Sequence, residues 1–466
     1  MLRTFSQIFS RSKSKSGHPF QKEASAANAA KAANAAKAAK AASPHWQEDD
    51  HSQPQAMINK TGKSEVTKTS ELSEMSRIKE KLAKTKVSKE AVLSALSTII
   101  DPDLGKDIVT LGFITRLELH PGEGGLNDVA VTINLTTPAC PIKETFRTTA
   151  KELISALSDV GSVEVTMTAV KTNSSSKSSS KTPSKKGAAS SALSKVSHIV
   201  AVASGKGGVG KSTTAVNLAY SLKRRGAKVG ILDADISGPS IPTMTGVKNP
   251  ETMDGDLVVP PTIDGIPVIS VSMFKGATGG GSGANILRGP MASNLITQFL
   301  TGIKWGELDY LIVDYPPGTS DIQLTLSQVI RLSGAVLVTT PQKVATIDCE
   351  KAAEMFNAMG VPIAGVIETM SYFSPEPGKK YYLFGKDGAK KVADKFGFPV
   401  LAQVPLEENL SEAMDEARPV TKDGNPSSGS AAEAYDEAAD TVARHLALFE
   451  HHASSSLSSF SLKWRT

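Results

Sequence analysis

Between residues 196 and 449 the chain alternates short, nearly all-apolar runs with longer stretches in which apolar residues return every third or fourth position. The runs are Ile199 to Ala203, Lys228 to Asp233, Val268 to Val271, Tyr310 to Asp314, Ala335 to Thr339, Ile363 to Glu368 and Val400 to Val404. A strand that is apolar at consecutive positions has both faces covered, the condition of a parallel sheet with helices on either side. The pattern predicts an α/β unit built on a doubly wound, mostly parallel sheet, with ligands bound beyond the carboxyl ends of its strands.

A smaller unit, residues 76–170, precedes it and reads as α+β. Ser88 is placed to cap a helix whose Val92, Leu93, Leu96, Ile99 and Ile100 share one side, and Asp101-Pro102-Asp103 should stop it. Two strands are expected, Ile108 to Leu119 and Val129 to Leu135, the second alternating strictly. A second helix should carry Ile142, Phe146, Ala150, Leu153, Ile154 and Leu157 on its apolar face, with Pro141 at its first position. Cys140 then lies at or near a helix N-terminus with Lys143 close by, a setting that favours the metal-binding thiolate. A small buried apolar cysteine is the competing reading.

The remaining segments lack such periodicity. Residues 1–75 read as a targeting segment and spacer: Met1 to Lys22 holds five Lys or Arg, no acidic residue, and Leu2, Phe5, Ile8 and Phe9 at roughly helical spacing. This is the character of an organellar presequence. The mitochondrion is the first expectation, the plastid the alternative, and a disordered basic tail the plainer reading. Residues 171–195 read as a linker, since Lys171 to Ser190 is nearly all Ser, Lys, Thr, Pro and small residues and cannot bury enough surface to fold. Residues 450–466 are left as a tail.

Composition narrows the class. The 466 residues are 40% hydrophobic, enough for a substantial core in two or three domains. The net charge of +5 comes largely from tails and linkers, so no nucleic-acid partner is expected. No apolar run reaches the roughly 18 residues that spanning a bilayer requires, so no membrane insertion is expected. Two cysteines, Cys140 and Cys349, cannot form a disulfide framework and suit a reducing compartment. Cys349 sits among helical apolar positions such as Ala352, Met355 and Phe356 and reads as structural.

The chemistry concentrates where the first apolar run of the larger unit meets a helical pattern. Gly205-Lys206-Gly207-Gly208-Val209-Gly210-Lys211-Ser212-Thr213 has the spacing of a phosphate-binding loop. Backbone N–H groups of such a loop surround the phosphates of ATP, Lys211 reaches the terminal phosphates, and Ser212 offers its hydroxyl to Mg²⁺. The helix behind adds its positive end. Glycines 205, 207, 208 and 210 are expected where φ is positive or the ligand comes close. Asp314 closes a strand at the place where such enzymes hold Mg²⁺ through water, and Gly318 in Pro316-Pro317-Gly318-Thr319 can bring an N–H to the γ-phosphate. Asp233 and Asp235 can reach the same crevice, and Asp235 is the expected orienter of the attacking water. Taken singly, each aspartate could equally be a turn or cap residue, and Lys206 a solvated loop lysine.

Lys206, one residue after the first glycine, resembles the extra lysine of the deviant Walker A motif. That motif belongs to the ATPase group of nitrogenase iron protein, chromosome-partitioning ATPases and division-site-selection ATPases. The resemblance implies a homodimer in which Lys206 crosses to the partner's nucleotide, and a catalytic set of Lys206, Lys211 and Asp235.

Further segments carry a narrower resemblance. Arg288-Gly289-Pro290-Met291, Trp305-Gly306-Glu307-Leu308-Asp309-Tyr310, Asp314-Tyr315-Pro316-Pro317-Gly318-Thr319-Ser320-Asp321, Thr340-Pro341-Gln342 and Glu368-Thr369-Met370-Ser371 resemble, in order and spacing, the Mrp-type iron–sulfur cluster carrier ATPases. Asp101-Pro102-Asp103 and Thr137-Pro138-Ala139-Cys140-Pro141 resemble the MIP18-like domain of iron–sulfur assembly factors. The resemblance implies an ATP-hydrolysing carrier that dimerises and passes a [4Fe–4S] cluster to apo-proteins, with Cys140 as an iron–sulfur ligand.

Two departures qualify it. The Cys-x-x-Cys pair that many members carry after the Met-Ser-Tyr-Phe segment is replaced by Ser374-Pro375-Glu376-Pro377, as in the plant chloroplast branch, which Lys380-Tyr381-Tyr382-Leu383-Phe384-Gly385-Lys386 also resembles. The further C-terminal domain of that branch finds no room after Phe449. Thr369 stands where the family usually has an asparagine thought to read adenine. Three functions follow: a cluster carrier with ATPase activity, a nucleotide-switched scaffold without its own cluster, and a partitioning or positioning ATPase.

Overall fold

The Ser88 hydroxyl accepts the Ala91 N–H at 3.1 Å, so helix α1 (Lys89–Leu96) begins at the expected cap. It ends earlier than the pattern suggested. The Ser97 and Thr98 hydroxyls turn back on the carbonyls of Ser94 and Ala95, which leaves Ile99 and Ile100 beyond the helix. Asp101 instead closes the following turn, its Oδ1 accepting the Leu104 N–H.

The first strand, β1 (Ile114–Pro121), starts six residues later than expected. Asp107 is the reason: its carboxylate accepts the N–H groups of Val109 and Thr110 and winds this stretch into a turn before any ladder can form. Strand β2 (Asn127–Asn134) buries Val129, Val131 and Ile133 as alternation predicted. Helix α2 (Lys143–Ser155) begins after Ile142, and Pro141, expected at its first position, lies outside the described residues. A strand not among those expected, β3 (Val160–Thr168), then pairs parallel with β2, while β1 pairs antiparallel on the other side. Its signal is a short one, Val163, Val165 and Met167 alternating with Glu164, Thr166 and Thr168.

The computed structural model describes residues 75–102, 104–135, 142–168, 193–235, 238–255, 257–278, 302–318, 323, 326–327, 329–376, 378–423 and 429–458. The expected presequence and spacer up to residue 74, Lys171 to Ser190 of the linker, Cys140 and Arg288 to Met291 lie outside them. The chain divides into two units, Met1–Ile78 and Lys79–Thr466, and every element named here belongs to the second.

All seven expected strands of the larger sheet are present: β4 (Val196–Ala203), β5 (Val229–Asp233), β7 (Ile266–Ser270), β8 (Leu308–Asp314), β9 (Gly334–Thr339), β10 (Ile363–Glu368) and β11 (Val400–Gln403). A short β6 (Thr262–Ile263) adds antiparallel to β7 at one edge. The order is β11-β10-β9-β4-β8-β5-β7-β6, parallel apart from β6. From β4 the chain passes to β5 on one side and later to β9 on the other, so the segment after β4 sits at the switch point where such sheets bind ligands.

Every residue of β5, β9 and β10 is buried. Helix α3 (Lys211–Arg224) covers one face and is itself covered by α6 (Gly429–Ser458), so most of its residues are buried too. Tyr435, Ala438, Ala439 and Val442 supply the α6 contact face, whose small residues allow close approach. Arg225 pairs with Asp440 and Asp436, and Ser221 donates to Asp436 at 2.6 Å, which fixes the helices in register. Helix α6 continues past Phe449 to Ser458.

Candidate functional site

The loop between β4 and α3 is held before any ligand is considered. Ser204 Oγ donates to the Lys206 carbonyl at 2.9 Å, and Gly208 and Gly210 adopt φ +79°, a conformation that side-chain-bearing residues rarely take. Gly205 is required for a different reason from the expected one. A Cβ there would lie 2.0 Å from the Asp348 carbonyl oxygen of helix α4 (Lys343–Ala358), so the loop and that helix meet backbone to backbone. Lys206 is exposed, whereas Lys211 is 6% exposed. Gly207, Gly208, Gly210, Lys211, Ser212 and Thr213 line a cavity of about 390 Å³ together with Asp235 and Pro317.

Three aspartates gather at or just past the carboxyl ends of β8 and β5, Asp235 among them in the cavity lining. Asp314, the last residue of β8, is fully buried: its Oδ1 accepts from Lys211 Nζ at 2.6 Å and its Oδ2 from Ser212 Oγ at 2.6 Å. Asp235 Oδ2 stands 3.4 Å from the same ammonium, and its Oδ1 accepts the Gly238 N–H. Asp233 ends β5, with its carboxylate accepting from Ser270 Oγ and the Asp235 N–H. Burial, and then the charge of Asp314, push the Asp233 carboxyl up to about 7. Burial also raises Asp314, against the opposing pull of Lys211 and its two hydrogen bonds. One buried cation among three carboxylates leaves the cluster net negative, so phosphates could take Lys211 from Asp314 only together with a divalent cation that these carboxylates would help to hold.

Gly318 departs from its expected orientation. With φ +90° its N–H donates to the Ser204 carbonyl at 3.0 Å, rather than into the cavity. Thr369, which follows β10, donates from Oγ1 to the Val209 carbonyl of the loop at 2.6 Å and is 4% exposed. Glu368, unremarked in the apolar run, is buried and accepts from Ser371 Oγ, Gln403 Nε2 and the Ala389 N–H at the start of helix α5 (Gly388–Phe396). Its signals in the sequence were its position at the end of a strand and its place in the Glu368-Thr369-Met370-Ser371 segment.

Cys349 is wholly buried in α4, and burial pushes its thiol up to about 12, as expected of a structural cysteine. Among the described residues no group of three or more His, Cys, Asp or Glu could hold a metal ion. No described helix is long and apolar enough to cross a membrane.

Residues 195–443 match the family described as NUBPL iron-transfer P-loop NTPase, and residues 89–166 the family described as iron–sulfur cluster assembly protein. The Fe-S cluster assembly factor HCF101, chloroplastic, of Arabidopsis thaliana is 44% identical over 76% of this chain and 63% of its own length. Its rice namesake is 45% identical over 72% of this chain and 61% of its own length, so the chain spans less than two thirds of either plant protein. The iron-sulfur cluster carrier protein of Deinococcus radiodurans is 42% identical over 71% of this chain and 88% of that protein. A nucleotide-binding protein from Archaeoglobus fulgidus, solved in complex with ADP, is 35% identical over 52% of this chain and 94% of its own, with a TM-score of 0.45. A loop-bearing parallel sheet with the matched 195–443 span, preceded by the matched 89–166 span, makes this chain a member of the iron-transfer P-loop NTPase family that carries an N-terminal iron–sulfur cluster assembly domain.

Proposed function

We propose that this chain binds and hydrolyses ATP at the loop 205–213 and carries an iron–sulfur cluster, a [4Fe–4S] cluster as cargo, to apo-protein acceptors. The observation that carries the reading is the convergence of Lys211, Ser212, Asp314 and Asp235 at the carboxyl edge of the sheet, within a family of iron-transfer NTPases. Lys211 would draw the terminal phosphates to the loop N–H groups, and Asp235 would orient the attacking water. The Ser212 hydroxyl and Asp314 carboxylate are hard oxygen donors 2.6 Å apart, a donor set that fits Mg²⁺. That ion, when bound, neutralises charge on the β- and γ-phosphate oxygens. Exposed Lys206 would act across a homodimer on the partner's nucleotide, in the manner of the deviant Walker A loops.

Cluster ligation falls to Cys140, because the other of the two cysteines is a buried thiol held protonated. A [4Fe–4S] cluster normally takes four cysteine ligands. Cys140 residues of two protomers would therefore share the cluster, completed by small thiols or by the acceptor, which suits a cargo that must leave. The chloroplastic names of the Arabidopsis and rice relatives support the plastid over the mitochondrion as the site of action.

Anaerobic reconstitution with iron and sulfide tests the reading. Uptake of iron and sulfide with the absorbance of a cluster is expected, lost in Cys140→Ser and kept in Cys349→Ala, with ATP binding intact in both. If the parent protein takes up no iron, the nucleotide-switched scaffold becomes the better reading, which the replacement of the usual cysteine pair by Ser374 to Pro377 makes the serious rival of the carrier.

A further inference from the structure

We infer that Thr369 is a positioning residue of the phosphate-binding loop and does not read the base. The inference rests on the nucleotide-site reading above and concerns how this chain presents one N–H of that site. The side chain of Thr369 has one polar atom, its hydroxyl, which donates to the Val209 carbonyl at 2.6 Å with the Thr339 carbonyl as a longer second acceptor at 3.1 Å. Its backbone N–H donates to the Thr339 carbonyl at the end of β9 at 2.9 Å, so the residue is itself tied to the sheet. Its Cγ2 lies 3.5 Å from where a Cβ on Gly210 would be, beneath the loop, and it is not among the residues lining the cavity.

A trans peptide points its C=O and N–H in opposite directions. The carbonyl of Val209 and the N–H of Gly210 belong to one peptide plane, and Gly210 lines the cavity. Pulling the carbonyl down onto Thr369 therefore turns the Gly210 N–H up toward the phosphates. With φ +79° at Gly210 the loop is free to twist at this point, so a fixed carbonyl removes a rotation that ligand binding would otherwise have to freeze. A residue that recognised a purine would need a polar group facing the cavity, and the single hydroxyl of Thr369 gives its proton to the loop and lies outside the cavity lining.

The test measures affinities of the full chain for ATP, GTP and inorganic tripolyphosphate, for wild type, Thr369→Val and Thr369→Ser. Valine keeps the shape and removes the hydroxyl; serine keeps the hydroxyl. Thr369→Val is expected to weaken all three ligands by a common factor of about fivefold, the size of one net hydrogen bond. Thr369→Ser should stay near wild type, and the ATP to GTP ratio should not move in either. If the valine variant does not fold, Thr369→Ala against Thr369→Ser gives the same comparison with the same expectation. Unchanged affinity without the hydroxyl, or an altered ATP to GTP ratio with tripolyphosphate unaffected, would overturn the assignment. A wild-type chain that binds none of the three ligands would instead overturn the nucleotide-site reading on which it rests.

Discussion

Ser212 and Asp314, 102 residues apart, meet through a 2.6 Å hydrogen bond between hydroxyl and carboxylate, and the second carboxylate oxygen holds Lys211. The contact exists because β8 lies beside β4 and ends level with the loop: Asp314 pairs with Val202, one residue before the end of β4. A strand end and a helix start are thereby joined through one fully buried carboxylate.

Replacing that carboxylate by its neutral isostere separates charge from shape. In Asp314→Asn, Lys211 keeps only Asp235 at 3.4 Å. Burial already holds this carboxyl above its ordinary range, so removing its charge relieves that cost while it takes away the shorter of the two Lys211 ion pairs, and the urea midpoint should move little. ATP hydrolysis should fall to background in the same variant. Hydrolysis at the parent's rate would contradict the role given to the Asp314 carboxylate.

The two loop lysines should separate binding from turnover. Lys211→Ala is expected to abolish tight ATP binding in calorimetry. Lys206→Ala should bind ATP normally and lose hydrolysis, by roughly 10³ if it contributes charge at the phosphoryl-transfer transition state. Phosphate-release kinetics on both variants decide it; unchanged turnover without Lys206 would remove the argument for action across a dimer.

Asp233 should make stability fall with rising pH. Its carboxyl titrates near 7 in the folded chain, against an ordinary value of 3.8. Between about pH 4 and 7 the folded state therefore holds a proton that the unfolded state has released. By linkage, stability declines across that window, by at most about 1.4 kcal/mol per pH unit, and levels off above it. Asparagine mimics the protonated acid and can keep both the Ser270 and Asp235 contacts. Asp233→Asn should thus gain stability relative to wild type on going from pH 5 to pH 8 in paired urea titrations. A difference that does not change with pH would rule the raised carboxyl out.

The sequence by itself determined the larger sheet, because each central strand is covered on both faces and so must be apolar at consecutive positions, a signal that survives without neighbours. It likewise determined the phosphate loop, whose glycines and Lys211 are contiguous, and the Ser88 cap, a contact made within three residues. What lay in partners distant along the chain could not be read. β3 owes its place to pairing with β2, and Gly205 is glycine because of the α4 backbone rather than a ligand, whereas the late start of β1 is a local effect of Asp107 on the N–H groups two and three residues on. The carboxylates show the same division. Asp314 and Asp235 were legible as strand-end residues, but that Asp233 is pushed toward neutrality, that Gly318 donates to Ser204 and that Thr369 grips Val209 follow only from tertiary packing. Burial and interatomic distance set those three properties, and neither quantity exists until the strands lie side by side.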